Sequence, residues 1–265
     1  MRVVFSECAP NYETYLAPYQ VLGFLDEGES PATAFSQGML PGNRELTRFY
    51  LTRSVRIDLG EYSESKRERY VRRQCSTLRL DVFPKAELAE TDSWVKMCLG
   101  YMNESPQWES RRARPFEPED VTTRFDMALA THLLTLTDTS DGTPVALAIL
   151  YVEPPIAYYV MAFYDARYRN VSIGWHLMSR AIGEMQRQGL SHVYLGTCYY
   201  EGALYKTRFA GLEFFDGIGW SDDRDRLRFL LSQQDKLNGR HMFEYPPYLE
   251  ANGPIKADDA VMRLL

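Results

Sequence analysis

The stretch from Ile156 to Cys198, IAYYVMAFYDARYRNVSIGWHLMSRAIGEMQRQGLSHVYLGTC, decides the fold. Ile156 to Tyr164 is apolar in both of its alternating sets, which predicts a strand buried on both faces. Asp165 to Asn170 is a polar loop. Val171 to Gln188 then places Ile173, Leu177, Met178, Ala181, Ile182 and Met185 at helical spacing, and Gly189 stands at the usual C-cap position. His192 to Cys198 returns to strand. The segment therefore reads as a strand–helix–strand crossover.

Upstream, His132 to Asp138 and Val145 to Val152 are strands joined by Ser140-Asp141-Gly142, a turn suited to a hairpin. Glu153-Pro154-Pro155 ends the second strand. Downstream, Gly202 to Phe209 reads as a short helix closed by Gly211, and Leu212 to Phe215 begins a last strand. The order hairpin, strand, helix, strand, short helix, strand predicts an α/β fold: a mixed sheet with flanking helices.

Residues 1 to about 120 differ in character, being irregular, polar and rich in arginine. Tyr12 to Leu25 is expected to hold a short helix ending near Gly23, Gly38 to Gly42 a turn, and Phe49 to Leu59 strands. Ser63 to Gln74 is expected to be a serine-capped helix carrying Lys66, Arg67, Arg69, Arg72 and Arg73. These cations are either a solvated face or phosphate contacts; only Glu64 and Glu68 offset them within the helix. Asn103 to Asp120, with Trp108, Arg111, Arg112 and Arg114, reads as a connector before a helix near Glu119. After Trp220, Asp222 to Leu237 has an amphipathic pattern and Tyr245 to Pro254 an extended one. Three regions are expected: 1–120, 121–220 and 221–265.

The chain has 265 residues, 45% hydrophobic and 13% aromatic, which suits a packed core and excludes wholesale disorder. With a formal charge of −6, contact with nucleic acid must use local basic clusters. Cys8, Cys75, Cys98 and Cys198 are scattered, as are the four histidines, so no metal site is expected. That usage fits a reduced, cytoplasmic chain. The start has no apolar core of signal-peptide length, and Glu153-Pro154-Pro155 breaks the most apolar stretch, so no membrane partner is expected.

The element order resembles the N-acetyltransferase-like fold, in which the acyl donor lies at the start of the crossover helix. Acetyl-CoA-dependent members carry an R/Q-x-x-G-x-G/A loop there. In Tyr168-Arg169-Asn170-Val171-Ser172-Ile173-Gly174, Ser172 takes the first glycine position and Gly174 the second. A side chain at the first position limits backbone approach to a pyrophosphate.

A more specific resemblance comes from Tyr194-Leu195-Gly196 followed by Tyr205-Lys206-Thr207-Arg208-Phe209, with Ser172-Ile173-Gly174 before and Gly219-Trp220 after. This pattern is similar to the C-terminal half of arginyl-tRNA–protein transferases. Tyr19 to Phe24, Val55-Arg56-Ile57 and the serine- and arginine-rich run from Ser63 resemble the first half of that family, in the same order over roughly residues 20–220. The sequence departs from the family in lacking a cysteine cluster between Gly42 and Arg53 and in its shorter Thr197-Cys198-Tyr199 linker.

The resemblance implies transfer of an amino acid, with arginine favoured, from aminoacyl-tRNA to a protein N-terminus. No cofactor is needed beyond the aminoacyl-tRNA co-substrate. An aminoacyl ester is already activated, so positioning, an oxyanion donor and a proton acceptor suffice. Tyr194, Tyr205 and Lys206 are the types suited to polarising or proton handling. Arg53 and Arg56 suit an acidic acceptor, and Arg208 a terminal phosphate or acidic acceptor. Ser172 and Gly174 stand at the donor loop, and Lys66 to Arg73 is the candidate tRNA contact. Tyr194 and Phe209 also suit a core, Lys206 and Arg208 a solvated helix face, and His176 and His192 structural places. A small-molecule or peptide acceptor, a CoA donor and a non-catalytic tRNA- or degron-binding module remain alternatives.

Overall fold

A computed structural model describes residues 1–7, 19–89, 91–109, 113–233, 246–247 and 250. Its strands and helices, in chain order, are β1 (Arg2–Glu7), β2 (Tyr19–Phe24), α1 (Pro31–Ser36), β3 (Met39–Pro41), β4 (Phe49–Leu51), β5 (Ser54–Asp58), α2 (Lys66–Gln74), β6 (Leu78–Pro84), α3 (Thr91–Glu104), α4 (Pro106–Glu109), α5 (Pro118–Phe125), β7 (His132–Asp138), β8 (Pro144–Glu153), β9 (Ile156–Tyr164), α6 (Ile173–Arg187), β10 (His192–Thr197), β11 (Leu212–Phe215), β12 (Trp220–Ser221) and α7 (Arg224–Gln233). The chain divides into two compact units. One holds Met1–Arg56, Gly196–Arg208 and Leu212–Leu265; the other holds Ile57–Leu195 and Phe209–Gly211.

The second unit carries the mixed sheet that the crossover predicts. β6, β7, β8 and β9 follow one another antiparallel, and β10 lies parallel to β9. β8 is buried from Val145 to Tyr151, so its residues are apolar without alternation. α6 turns Ile173, Leu177, Met178, Ala181, Ile182 and Met185 inward, and Gly189 follows at φ +79°. α3 and α5 build a further core with Leu133, Leu147, Ile149 and Phe163.

α2 begins as its serines predict. Ser65 Oγ accepts from Glu68 N–H while the Glu68 carboxylate accepts from Ser65 N–H, a capping box. Glu68 is only 1% exposed, and its Oε1 also accepts from the Tyr62 and Ser179 hydroxyls at 2.7 and 2.9 Å. Gln186 donates to the carbonyls of Leu59 and Tyr62. These bonds hold α2 and its approach to α6.

The first unit contains a four-stranded antiparallel sheet in the order β1-β2-β4-β3 and the β11–β12 pair. Two expectations are corrected here. Tyr19–Phe24 is a strand, not the end of a helix; a Cβ on Gly23 would lie 2.6 Å from Met39 Sδ, so the glycine serves close packing. Met39–Pro41, expected as part of a turn, is a strand paired with β4. In the second unit Ala166–Val171, expected as loop, is 3₁₀ helix. In the first, the expected short helix at Glu201–Arg208 is also 3₁₀. The earlier part of the Tyr12–Leu25 reading, Arg111 and Arg112, the end of the Asp222–Leu237 reading and nearly all of Tyr245–Pro254 lie outside the described residues.

Candidate functional site

The site's framework is set by two departures from sheet regularity in the second unit. The β9–β10 ladder pairs His192 with Ile156, Val193 with Ala157 and Tyr194 with Tyr158, and ends there, while β9 runs on to Tyr164. On the other side of β9, Leu150 pairs with Tyr159 and Ile149 with Met161, leaving Val160 as an extra residue. Val160 and Met161 accordingly both pack toward the α3 core. Such a bulge interrupts the hydrogen-bond ladder, and a backbone N–H group left outside a ladder can polarise an acyl carbonyl. No residue-type signal in the sequence marks it.

Past β9 the chain reaches the start of α6. Ser172 adopts φ +56°, ψ +41°, the conformation a glycine takes most easily, and its side chain makes no capping bond. The first helical bond, His176 N–H to Ser172 O, is 3.0 Å, so the N–H groups of Ile173, Gly174 and Trp175 precede the helical ladder. A Cβ on Gly174 would come within 2.9 Å of the Tyr164 ring, which explains glycine there by packing. The loop thus keeps a glycine-like backbone around a serine.

The basic face of α2 adjoins this turn. Lys66, Arg67, Arg69, Arg72 and Arg73 are all exposed, while Glu68 and Val71 face inward. Arg72 pairs with Glu64 at 3.2 Å, and Arg69 donates to the Glu64 carbonyl. The Arg67 guanidinium lies 5.3 Å from the centre of the Trp175 ring, on the first turn of α6. Burial, followed by Arg72, pulls the pKa of Arg180 down. Burial, then Arg180 and Arg72, pushes that of His176 down to about 4. His176 is buried and neutral near pH 7, in keeping with a structural place. Crowded like charges with few carboxylates make this surface receptive to an anion.

The first unit assembles a different group. The Tyr199 hydroxyl accepts from Arg53 N–H at 2.8 Å and lies 2.9 Å from Thr52 Oγ1, while the Arg53 guanidinium sits over the Tyr199 ring. Cys198 N–H donates to Arg53 O, and Lys206 Nζ donates to Thr197 O at 3.0 Å. The Arg53 carbonyl and Lys206 Nζ therefore meet the two ends of one peptide unit, Thr197–Cys198. Burial lowers the Lys206 pKa, with Cys198 opposing, and burial raises that of Cys198, with Lys206 and Arg53 opposing. The sequence pointed to Arg53 and Lys206 separately. It missed Tyr199, which lies far from Arg53 along the chain.

Other expected site residues fare differently. Tyr194 is 1% exposed, within the core of the second unit, a position that disfavours its proposed proton handling. Arg56 is committed to structure in the first unit: its Nε donates to Glu213 at 2.7 Å, and its guanidinium stacks 3.9 Å above the Trp220 ring. An acidic acceptor at Arg56 would have to displace this carboxylate. Tyr205 and Arg208 are exposed on the 3₁₀ turn.

Residues 65–207, more than half of the chain, match the family model described as an acetyltransferase (GNAT) domain. No curated protein matches the sequence. Among solved structures, the C-terminal DUF2156 domain of an Agrobacterium fabrum protein is similar at 15% identity and TM-score 0.43, covering 71% of this chain and 53% of that one. L-PGS from Bacillus licheniformis is similar at 11% identity and TM-score 0.43, covering 72% and 66%. FemX is similar at 8% identity and TM-score 0.40, covering 55% and 52%. The chain spans about half the length of the first and last of these structures.

Proposed function

Because the chain belongs to the acetyltransferase (GNAT) domain family and is an acyltransferase of that kind, we propose that its acyl donor is an aminoacyl-tRNA and its acceptor an amine. The observation that carries this reading is the exposed cationic face of α2, joined to the first turn of α6 through Arg67 and Trp175. The five exposed cations run from Lys66 to Arg73, a track about 10 Å long by the helical rise per residue. That length suits successive backbone phosphates.

The reaction is an exchange of bonds at one carbonyl carbon. The acceptor amine forms an amide to the amino acid, the ester bond to the tRNA ribose breaks, and the ribose hydroxyl leaves. The ester needs no further activation, so the demand is for positioning, for polarisation of the carbonyl near the Val160 bulge, and for removal of a proton from the amine. Lys206, whose pKa burial lowers, and Tyr205 are the proposed proton handlers. Arg53 and Arg208 are the proposed acceptor-side or phosphate-side cations, and Ser172 and Gly174 belong to the donor loop. Arginine as the transferred residue and a protein N-terminus as acceptor follow from the sequence resemblance. The proposed division places the arginyltransferase-like region at 1–120, acyl transfer at 121–220 and the tail at 221–265.

A second reading, an acyl-CoA donor, draws support from the left-handed backbone at Ser172, which retains the conformation of a glycine-rich phosphate loop. Incubation with individually charged, radiolabelled aminoacyl-tRNAs and with acetyl-CoA, following label into peptides and small amines, separates the two. Transfer from a charged tRNA is expected. Transfer from acetyl-CoA alone would end the aminoacyl-tRNA reading.

A further inference from the structure

Building on the donor reading above, we propose that Trp175 is the stacking platform for the adenine of the donor's terminal adenosine. Trp175 is half-buried on the first turn of α6. Phe209, itself 0% exposed, lies nearly parallel to it, with ring centres 5.5 Å apart and planes 11° from parallel. The indole Nε1 is buried and has no hydrogen-bond partner among the described residues, so the accessible part of the ring is its carbon surface. What lies over that ring is the guanidinium of Arg67, an exposed side chain.

A flat ring backed by a buried aromatic and overlain by a movable cation is the architecture on which a nucleobase stacks. The Arg67 contact is not needed to fasten α2 to α6, because Glu68 bonds Ser179 and Gln186 bonds the chain before α2. The guanidinium is therefore free to lift and meet a phosphate while the base takes its place. The neighbouring cations favour a nucleotide over a neutral aromatic side chain. Adenosine is common to the 3′ end of a charged tRNA and to CoA. In the tRNA it also bears the reacting ester, so fixing the base fixes the carbonyl that is attacked.

The test uses the full chain with three probes: an uncharged tRNA, the same tRNA trimmed of its 3′ adenosine, and CoA. Affinity is read by filter binding or calorimetry and stacking by tryptophan emission. Intact tRNA is expected to bind about tenfold tighter than trimmed tRNA and to shift the emission. Trp175→Leu is expected to bind both tRNAs with the weaker affinity. Trp175→Phe is expected to keep the preference and lose the emission shift. If wild-type protein binds intact and trimmed tRNA equally and Trp175→Leu leaves CoA binding unchanged, the platform is wrong, even where transfer from aminoacyl-tRNA is observed. If CoA alone binds, and binding is lost in Trp175→Leu, the platform stands and the tRNA reading falls. Should Trp175→Leu not fold, intact against trimmed tRNA, with CoA-induced emission changes in wild type and Trp175→Phe, decides the matter.

Discussion

Lys206 Nζ donates to the Thr197 carbonyl oxygen at 3.0 Å, and this bond places a partly buried amine against the end of β10. Burial is the main cause of its lowered pKa. The folded chain therefore releases this proton at a lower pH than the unfolded chain does. Stability then rises with pH from the lowered value up toward 10.5, and the gain is absent below that window. Lys206→Met is expected to flatten this slope, as measured by urea midpoints across alkaline pH. Lys206→Ala is expected to reduce transfer about tenfold or more, the scale of lost proton handling, without unfolding the chain. Undiminished activity would remove Lys206 from the chemistry.

Arg56 and Glu213 form an ion pair whose side chains are 12% and 25% exposed. Arg56→Met should destabilise the chain by about 2–3 kcal/mol, since it strands a largely buried carboxylate and loses the Trp220 stack. Glu213→Gln should cost less, because the amide still accepts a hydrogen bond. Chemical denaturation of both variants checks the order.

His176 titrates in the fold at about 4, against an ordinary 6.5. As pH falls through that interval the unfolded chain takes up a proton that the folded chain refuses, so stability is lost in acid. The loss is on the order of 3 kcal/mol once the interval is crossed. His176→Phe should remove this part of the acid sensitivity, seen by comparing urea midpoints at pH 7 and pH 4.5. An unchanged acid slope would contradict the assignment.

Ser172 holds a left-handed backbone conformation without a capping bond. Ser172→Gly relieves the Cβ penalty and should stabilise the fold by about 1 kcal/mol, less the entropy glycine loses on folding. A thermal melt should move up by about 2–4 °C at most. Destabilisation would show that the hydroxyl contributes more than the backbone costs.

Lys66, Arg69 and Arg73 have no carboxylate ion pair among the described residues. Changing all three to Gln should weaken tRNA binding at low salt and reduce the slope of log affinity against log salt by up to about 3, while melting changes little. A slope equal to wild type would move the RNA contact elsewhere.

The sequence was most legible where burial leaves a periodic trace. Ile156–Tyr164, His132–Asp138 and the core-facing positions of α6 match their expected places because each buried face is continuous and local. The capping serine of α2 was legible for the same reason. Tyr19–Phe24 differs from its expected helix end because a short, largely apolar stretch with a glycine near its end fits a helix end as well as a strand, and only pairing with β1 and β4 decides between them. Of the candidate residues, Ser172 and Gly174 in the second unit and Arg53 and Lys206 in the first were visible as residue types. The Val160 bulge is a mismatch of register between two strands, and the Tyr199–Arg53 contact joins distant stretches of chain. Neither leaves a mark in local composition.

The capping carboxylate of Glu68 has a consequence for how this surface changes over time. It bonds inward to Ser179 and Tyr62, while Lys66, Arg67, Arg69, Arg72 and Arg73 point away from it. Anchorage and charge are thus carried by separate residues of one short helix. Exposed positions of this kind tolerate replacement with little effect on folding. A lineage can change the charge of this face one residue at a time, while a change at Glu68 would disturb the whole face at once.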